Sequence, residues 1–211
     1  MPDSPWHRLA LRYLGDVAGR RVLEIGCGVG EFTRLLAERG ATVTGADISR
    51  VAVDQARREV AAFPSATALV ADICALPFAS ASFDLVVSLE TIEHSPDPRS
   101  ALAELVRVTK PGGRLIVSCP NYHGFIGLYR VAMRIVGRRF TEGGQPINKW
   151  TTLIGTALRL KRLGCRIQAV DGAVLSLPVP RLGEIDLSWM DRGHFLAKWL
   201  ARHGIVIATK A

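Results

Sequence analysis

The sequence predicts an α/β fold in which a doubly wound, mostly parallel sheet of about seven strands carries helices on both faces. Three observations support this prediction. Strand and helix patterns alternate along most of the 211 residues. The apolar strand at 21–25 runs into a glycine-rich turn and then into a helical segment. The strand at 83–89 is almost wholly apolar, as expected of a parallel strand that is covered on both faces.

Local signals predict the individual elements. Ser4 and Pro5 predict a helix over 5–17, because serine suits the N-cap and proline suits the first helical position. Gly40 predicts the end of a helix at 31–39, and Ser49 predicts the start of a helix that reaches about residue 62. Further helices are expected at 98–109, 125–136, 151–163 and 188–202. The expected strands are 21–25, 42–46, 66–71, 83–89, 114–119, 166–170 and 205–209, and no element is predicted for the proline-broken stretch 173–186.

Composition and charge limit the functional classes. The chain is 48% hydrophobic and 22% charged, which is typical of a globular protein, and we expect one domain over 1–211. No apolar run reaches the roughly 18 residues that span a bilayer, and residues 1–7 lack a signal-peptide pattern, which predicts a cytoplasmic location. The four cysteines form no Cys-x-x-Cys pair, which favours buried free thiols. The net charge of +8 is concentrated in residues 101–211, which indicates either an acidic partner or a solvated basic surface.

Residues 22–30 read Val-Leu-Glu-Ile-Gly-Cys-Gly-Val-Gly and form the most informative segment. Gly26, Gly28 and Gly30 allow a ligand to approach bare backbone, and the helix that follows offers free N–H groups. Glu31 stands where a dinucleotide fingerprint requires glycine, which disfavours an NAD or FAD site. No Gly-Lys-Ser/Thr closes the turn, which excludes a P-loop.

Two aspartates follow successive strands behind this turn. Asp47 ends the second strand, where a carboxylate can accept hydrogen bonds from a ribose diol. Asp72 ends the third strand and could accept from the exocyclic amine of adenine, with Ile48 and Ile73 against the ring. Each aspartate alone could equally cap backbone N–H groups. Both together, behind a glycine turn, favour an adenosine site.

These motifs resemble those of the class I S-adenosylmethionine-dependent methyltransferases, in particular the methyltransferase type 11 and ubiquinone-pathway O-methyltransferase groups. The resemblance rests on 22–30, on Ala-Asp-Ile-Ser at 46–49, on Ala-Asp-Ile-Cys at 71–74 and on the segments 82–98 and 110–121, and it covers residues 20–121. It implies S-adenosyl-L-methionine as cofactor, a Rossmann-like sheet and an antiparallel last strand. The implied cofactor residues are Glu24, Gly26, Cys27, Gly28, Gly30, Asp47, Ile48, Asp72, Ile73 and Leu89. Glu24 and the turn would hold the methionine part, Asp47 the ribose, and Asp72 with Ile73 the adenine, while Leu89 would line the methionine end.

The segment Glu-Thr-Ile-Glu-His at 90–94 carries the candidate catalytic groups. If it is helical, Glu90, Glu93 and His94 share one face and could bind a divalent metal or act as acid and base. The segment is similar to one in ubiquinone-pathway O-methyltransferases and in small-RNA 2′-O-methyltransferases. In the RNA group a later histidine completes a metal site. Here Asn148 stands where that ligand is expected and His123 is unaligned, which disfavours both the RNA activity and a metal. We interpret His94 as a base that Glu90 or Glu93 orients; alternatively the glutamates are solvated or capping and His94 shapes the pocket.

The segment 121–150 interrupts the strand–helix alternation and is expected to be a lid on the substrate side. Its helix at 125–136 is apolar, with Arg130, Arg134 and Arg138 at intervals of four residues. In the ubiquinone-pathway enzymes an insert at this position meets the membrane, and a basic amphipathic helix can lie on an anionic lipid surface. The favoured alternative is a helix packed across the sheet with its arginines in water.

The first helix offers three side chains beside the predicted site. Trp6, His7 and Tyr13 could close the pocket, although packing is the commoner role.

These patterns favour O-methylation of a small, hydrophobic metabolite by in-line methyl transfer. RNA 2′-O-methylation is the main alternative, but no aromatic-rich basic surface is evident in the sequence, so nucleic acid is not the expected partner. A member of the fold that binds the cofactor without turnover is a further alternative. The complete glycine turn and both aspartates argue against it.

Overall fold

The computed structural model describes residues 4–137, 146–173, 176–179, 183–186 and 200–211. The strands are β1 (Arg21–Ile25), β2 (Thr42–Asp47), β3 (Ala66–Val70), β4 (Phe83–Ser88), β5 (Thr109–Pro120), β6 (Cys165–Ala173), β7 (Ser176–Val179), β8 (Gly183–Asp186) and β9 (His203–Lys210). The helices are α1 (Pro5–Leu14), α2 (Glu31–Glu38), α3 (Arg50–Glu59), α4 (Pro98–Val108), α5 (Phe125–Ile135) and α6 (Leu153–Arg162), with a 3₁₀ turn at Ile92–His94.

Seven strands form one sheet in the order β3-β2-β1-β4-β5-β9-β6. The first five strands along the chain pair in parallel, whereas β9 is antiparallel to both of its neighbours. The predicted doubly wound, mostly parallel sheet with an antiparallel last strand is therefore confirmed. Because β1 to β5 run in parallel, their carboxyl ends meet along one edge of the sheet, where open α/β sheets bind ligands.

The core lies on both faces of the sheet. Leu115 and Ile116 of β5 are adjacent and fully buried, and their side chains point to opposite faces. Leu115 packs with the α4 and α6 side, including Leu105, while Ile116 packs with the α1 and α2 side, including Phe32. Burial of each such side chain stabilises the fold by about 1.5–3 kcal/mol.

The predicted helix starts at α1 and α3 are confirmed. Ser4 Oγ accepts a hydrogen bond from His7 N at 3.4 Å, and Ser49 Oγ accepts one from Ala52 N at 3.3 Å. The first helix ends at Leu14 rather than at residue 17, because Gly15 adopts φ +64°.

Two further element predictions differ from the structure. β5 begins five residues early, since Thr109 pairs with Phe83 before a register shift brings Arg114 opposite Leu85. The stretch 173–186 contains an antiparallel two-stranded sheet of β7 and β8, whose pairing could not be inferred from its proline-broken pattern. The predicted helix 188–202 lies outside the described residues except for its last three positions.

Candidate functional site

The three glycines of the turn between β1 and α2 all have positive φ, at +78° for Gly26, +52° for Gly28 and +91° for Gly30. A Cβ added at Gly26 would lie 2.1 Å from Thr91 Oγ1, and one at Gly30 would lie 2.9 Å from Ala56. A Cβ at Gly28 would meet no atom within 4 Å. Packing therefore requires glycine at the two outer positions, while Gly28 leaves open backbone against which a ligand can lie.

Asp47 ties this turn to the start of α3. Its Oδ2 accepts a hydrogen bond from Gly28 N at 3.0 Å, and its Oδ1 accepts one from Ser49 N at 2.9 Å. Asp72 behaves similarly at the next strand end, where its Oδ1 accepts from Cys74 N at 2.8 Å. The backbone-capping role that the sequence left open is thus present at both aspartates, and both carboxylates lie at the carboxyl edge of the sheet.

Glu24 is buried at 3% exposure within β1, and Thr33 Oγ1 donates a hydrogen bond to its carboxylate. Burial is the main cause that raises the pKa of Glu24 to about 8; the Thr33 hydrogen bond opposes this shift, and the nearby charge of Asp47 adds to it. Burial, followed by the charges of Glu24 and Asp47, also raises the pKa of the Cys27 thiol far above its usual range. Cys27 is therefore a packing residue of the turn rather than a nucleophile.

The apolar residues predicted to flank the cofactor differ in exposure. Ile48 stands in solvent with 70% of its surface exposed, whereas Ile73 and Leu89 are each 8% exposed. Ile48 is thus free to cover a planar ring at the end of β2. Ile73 and Leu89 belong mainly to the hydrophobic core on the two faces of the sheet.

The helical face predicted for residues 90–94 is wrong. Only Ile92–His94 forms a single 3₁₀ turn, and Glu90 adopts φ +50°, which is uncommon for a residue other than glycine. Three hydrogen bonds hold the backbone out of a helix. Glu90 N donates to Ser118 Oγ at 2.9 Å, and Thr91 Oγ1 donates to Leu89 O at 2.9 Å and to Ile25 O at 3.3 Å. Strain of this kind concentrates at functional sites.

Glu90 instead pairs with a histidine that the sequence did not single out. Its Oε2 lies 2.6 Å from His203 Nδ1, and its Oε1 accepts from Ser118 Oγ at 2.7 Å. The two side chains are only 10% and 13% exposed, and the His203 ring lies 5.2 Å from the ring of Trp6. In the sequence, His203 is marked only by its position, two residues before the predicted apolar strand 205–209.

Glu93 and His94 form a second carboxylate–imidazole pair. Glu93 Oε1 lies 3.7 Å from His94 Nε2, and Glu93 is buried at 1% exposure. His94 Nδ1 lies 2.8 Å from the carbonyl oxygen of Ile147. Because a carbonyl only accepts, Nδ1 carries a proton and Nε2 is the nitrogen that can take one up. Among the residues that the structure describes, no group of three histidine, cysteine or acidic side chains could hold a metal ion.

Two of the three α1 side chains pack instead of facing the site. The His7 ring stacks on Phe32 at 5.0 Å, and burial lowers the pKa of His7 to about 4. Tyr13 Oη donates to Asp171 at 2.7 Å. Trp6 alone reaches the site, through His203.

The insert helix α5 presents an apolar stripe to solvent. Leu128, Val131 and Ile135 are 69%, 47% and 80% exposed and lie on one face at helical spacing. The expectation that the arginines of this helix stand in water is wrong for Arg130. Its guanidinium lies over the Tyr122 ring at 4.7 Å and donates to Asn148 O at 2.6 Å.

Arg138, the last member of the predicted arginine stripe, lies outside the described residues. Within the described part of the chain, no helix is long and apolar enough to cross a membrane.

Residues 23–117 match the family described as a methyltransferase domain. A demethylmenaquinone methyltransferase of Tropheryma whipplei is 37% identical over 145 residues, which are 67% of this chain and 60% of that protein. A ubiquinone biosynthesis O-methyltransferase of Alkalilimnicola ehrlichii is 40% identical over 111 residues, which are 51% of this chain and 44% of that protein. The chain thus spans 60% or less of the length of these two relatives.

Solved structures share the fold along nearly the whole chain. An S-adenosylmethionine-dependent methyltransferase from Mesorhizobium loti superposes with a TM-score of 0.69 at 23% identity and covers 99% of both chains. A chain from a complex with the Haloferax volcanii Trm112 methyltransferase activator gives a TM-score of 0.72 at 20% identity, over 99% of this chain and 91% of that one. Residues 23–117 therefore form a methyltransferase domain, and the chain shares the fold of the S-adenosylmethionine-dependent methyltransferases among the solved structures.

Proposed function

We propose that the protein transfers a methyl group from S-adenosyl-L-methionine to a hydroxyl oxygen of a small, hydrophobic molecule. One observation carries this proposal: the open backbone at Gly28 and the Glu90–His203 pair lie at the ends of neighbouring strands β1 and β4. Thr91 joins the two places, since its hydroxyl bonds Ile25 O at 3.3 Å and its side chain occupies the space beside Gly26. A cofactor held at the turn would therefore have an acid–base pair beside it.

The residues at the turn fit the proposed cofactor. Open space at Gly28 admits a ligand, exposed Ile48 can cover an adenine ring, and the carboxylates of Asp47 and Asp72 can accept from hydroxyl or amine groups. Gly26, Cys27, Gly30 and Glu24 would shape the methionine end, which Leu89 would line, and Ile73 would lie against the adenine. When bound, the sulfonium supplies an electrophilic methyl group, and S-adenosyl-L-homocysteine is the product.

The proposed catalytic groups are His94, Glu93 and Glu90. The Nε2 atom of His94 would take the hydroxyl proton of the acceptor, because its Nδ1 is already hydrogen-bonded to Ile147 O. The carboxylate of Glu93 would stabilise the imidazolium that forms. Glu90 would act through His203, whose ring it holds beside Trp6. No metal is proposed in this reaction.

The names of the relatives support the acceptor class. The names of the two relatives point to demethylmenaquinone and to ubiquinone biosynthesis, whose quinone rings are hydrophobic, and this chain is 37% and 40% identical to segments of these two proteins. Two probes separate the possible acceptor atoms. A catechol tests methylation at a hydroxyl oxygen. A demethylated naphthohydroquinone offers a ring carbon as a methyl acceptor in addition to its hydroxyl oxygens.

The test is methyl transfer from labelled S-adenosyl-L-methionine to each probe, with products identified by mass spectrometry. We expect an O-methylated catechol. His94→Asn should lower kcat by about 10²-fold or more, as loss of a general base does, without changing cofactor affinity. Ring-carbon methylation alone would contradict the O-methyltransferase proposal, and full turnover by His94→Asn would reject the proposed base.

We also propose that the exposed stripe of α5 contacts an anionic lipid surface, as a peripheral attachment from the cytoplasm. The stripe supplies apolar area, and the surplus of positive charge in residues 101–211 supplies electrostatic attraction. Sedimentation with phosphatidylglycerol vesicles at low salt tests this proposal. Ile135→Ser should release the protein from the vesicles, whereas the matched control Val51→Ser, at an exposed valine of α3, should not. Equal sedimentation of the two variants would contradict it.

A further inference from the structure

A cavity of about 520 Å³ opens between α4 and α6, away from the glycine turn. This volume falls within the range of small-molecule sites, about 300–1,000 Å³. We call it the α4–α6 groove. Its charged lining consists of Arg99, Lys149, Arg159, Arg162 and Asp97. We propose that the α4–α6 groove binds a small molecule that carries a phosphate group on an apolar or aromatic body.

The positive charge of the groove is not neutralised by the described part of the chain. Arg99, Lys149, Arg159 and Arg162 form no ion pair with any described residue. The Nε atom of Arg159 is buried and has no hydrogen-bond partner among those residues. Four cations that converge on one cavity repel one another, and a dianionic ligand would relieve that repulsion.

The single acidic residue of the groove is engaged elsewhere. Asp97 Oδ1 accepts from Arg99 N at 2.9 Å, and its Oδ2 accepts from Ser100 Oγ at 2.7 Å. These bonds to the first turn of α4 lower the pKa of Asp97, and the nearby charge of Arg99 adds a smaller contribution. The Asp97 carboxylate therefore caps a helix and forms no ion pair with the described arginine side chains of the groove. An arginine guanidinium presents a planar fork of donors that matches phosphate oxygens, which favours a phosphate over a carboxylate where several arginines converge.

The other walls of the groove are apolar. Ile92 and Leu102 are buried beneath it, and Trp150 lines it with half of its surface exposed. The Trp150 ring is held in place, because it lies 5.1 Å from the Tyr122 ring and 5.6 Å from the guanidinium of Arg130. A fixed indole beside buried aliphatic side chains suits a flat or apolar body attached to the phosphate.

The groove is distinct from the proposed cofactor site but adjoins the catalytic turn. None of the predicted cofactor residues lines it. Ile92 belongs to the same 3₁₀ turn as His94, and Lys149 N donates to Glu93 O at 2.8 Å. The proposed binding is independent of methyl transfer, and it can be measured when no methyl acceptor is known.

Isothermal titration at low ionic strength, with phenyl phosphate and inorganic phosphate as probes, tests the proposal. We expect both to bind, and phenyl phosphate to bind more tightly because its ring contacts Trp150. Arg159→Gln and Arg162→Gln should each weaken phenyl phosphate binding about tenfold, as the loss of a charge-assisted hydrogen bond predicts. The control Arg58→Gln removes one exposed charge on α3 and should leave binding unchanged.

Vesicles that contain phosphatidic acid distinguish the two sources of a phosphate. If the groove variants lose vesicle binding together with phenyl phosphate binding, the ligand is a lipid headgroup. If they lose only phenyl phosphate, the ligand is a soluble phosphate ester. Absence of phenyl phosphate binding to the wild-type protein would overturn the proposal, as would equal weakening by Arg58→Gln. Binding of S-adenosyl-L-homocysteine in the same preparation shows that the protein is folded. If the proposed function is wrong, S-adenosyl-L-homocysteine does not bind, whereas binding of phenyl phosphate is retained.

Discussion

The imidazole Nδ1 of His203 lies 2.6 Å from Glu90 Oε2, so a largely buried hydrogen bond joins the first residue of β9 to the loop that follows β4. The two residues are 113 positions apart in the chain. They meet because β9 is inserted between β5 and β6, and its antiparallel direction brings His203 opposite Pro120 at the carboxyl end of β5. The reversed last strand of the fold therefore delivers a histidine to the edge where the proposed cofactor and acceptor meet.

Removing one partner of this pair should be costly. Glu90→Ala leaves the buried His203 imidazole without its hydrogen-bond partner, and we expect the free energy of unfolding to fall by about 2 kcal/mol. Urea denaturation measures the change. Asp54→Ala is the matched control, since its pair with Arg57 is half-exposed and should contribute under about 1 kcal/mol. A loss of the same size in both variants would show that burial of the Glu90–His203 pair is energetically unimportant.

Glu24 should make stability depend on pH. Burial raises its pKa from 4.5 to about 8, so the folded protein holds a proton that the unfolded chain releases. The free energy of unfolding should therefore decrease as pH rises from about 4.5 to about 8 and level off above that range. Urea denaturation across this interval tests the slope. Glu24→Gln cannot titrate and should flatten it, and an unchanged slope in this variant would assign the dependence to other groups.

The packing of Gly26 against Thr91 predicts a compensating pair of substitutions. Gly26→Ala places a methyl group 2.1 Å from Thr91 Oγ1 at a φ of +78°, and we expect a loss of about 2–4 kcal/mol from overpacking and backbone strain together. Adding Thr91→Ala removes the collision but keeps the strain, so part of the stability should return. Thermal or urea unfolding of the double-mutant cycle measures this coupling. Strict additivity of the two changes would contradict the contact.

Gly28 should respond differently from Gly26. An alanine there meets no atom within 4 Å, so only the positive φ is unfavourable and the loss of stability should be about 1–2 kcal/mol. Its methyl group would nevertheless occupy the space proposed for the cofactor. Calorimetry should show weakened binding of S-adenosyl-L-homocysteine while the variant remains folded. Unchanged affinity would place the cofactor away from Gly28.

Local patterns were sufficient to predict the sheet and the turn. The glycines, the strand ends at Asp47 and Asp72 and the helix caps at Ser4 and Ser49 each depend on neighbours within a few residues. Helical spacing at 90–94 failed because Thr91 bonds the distant Ile25 O, an interaction that no local pattern contains.

Two further features depended on tertiary contacts. The role of His203 required the strand order, since β9 carries it to Glu90. The periodicity of α5 identified an apolar face, but it could not show that this face is exposed and that Arg130 packs on Tyr122 instead. Contacts between residues far apart in the chain, or in the loops around α5, decided both, and single-sequence periodicity does not encode them.

The central claim is that the glycine turn and Asp47 hold the adenosyl cofactor. Calorimetric titration of S-adenosyl-L-homocysteine tests it most directly, with Asp47→Asn as the variant and Asp54→Asn, on the exposed side of α3, as its matched control. The account predicts binding of one molecule per chain to the wild type and to Asp54→Asn, and a loss of about tenfold or more in Asp47→Asn, where a charged hydrogen-bond acceptor is removed. Absence of binding to the wild type, or equal affinity in all three proteins, would contradict it.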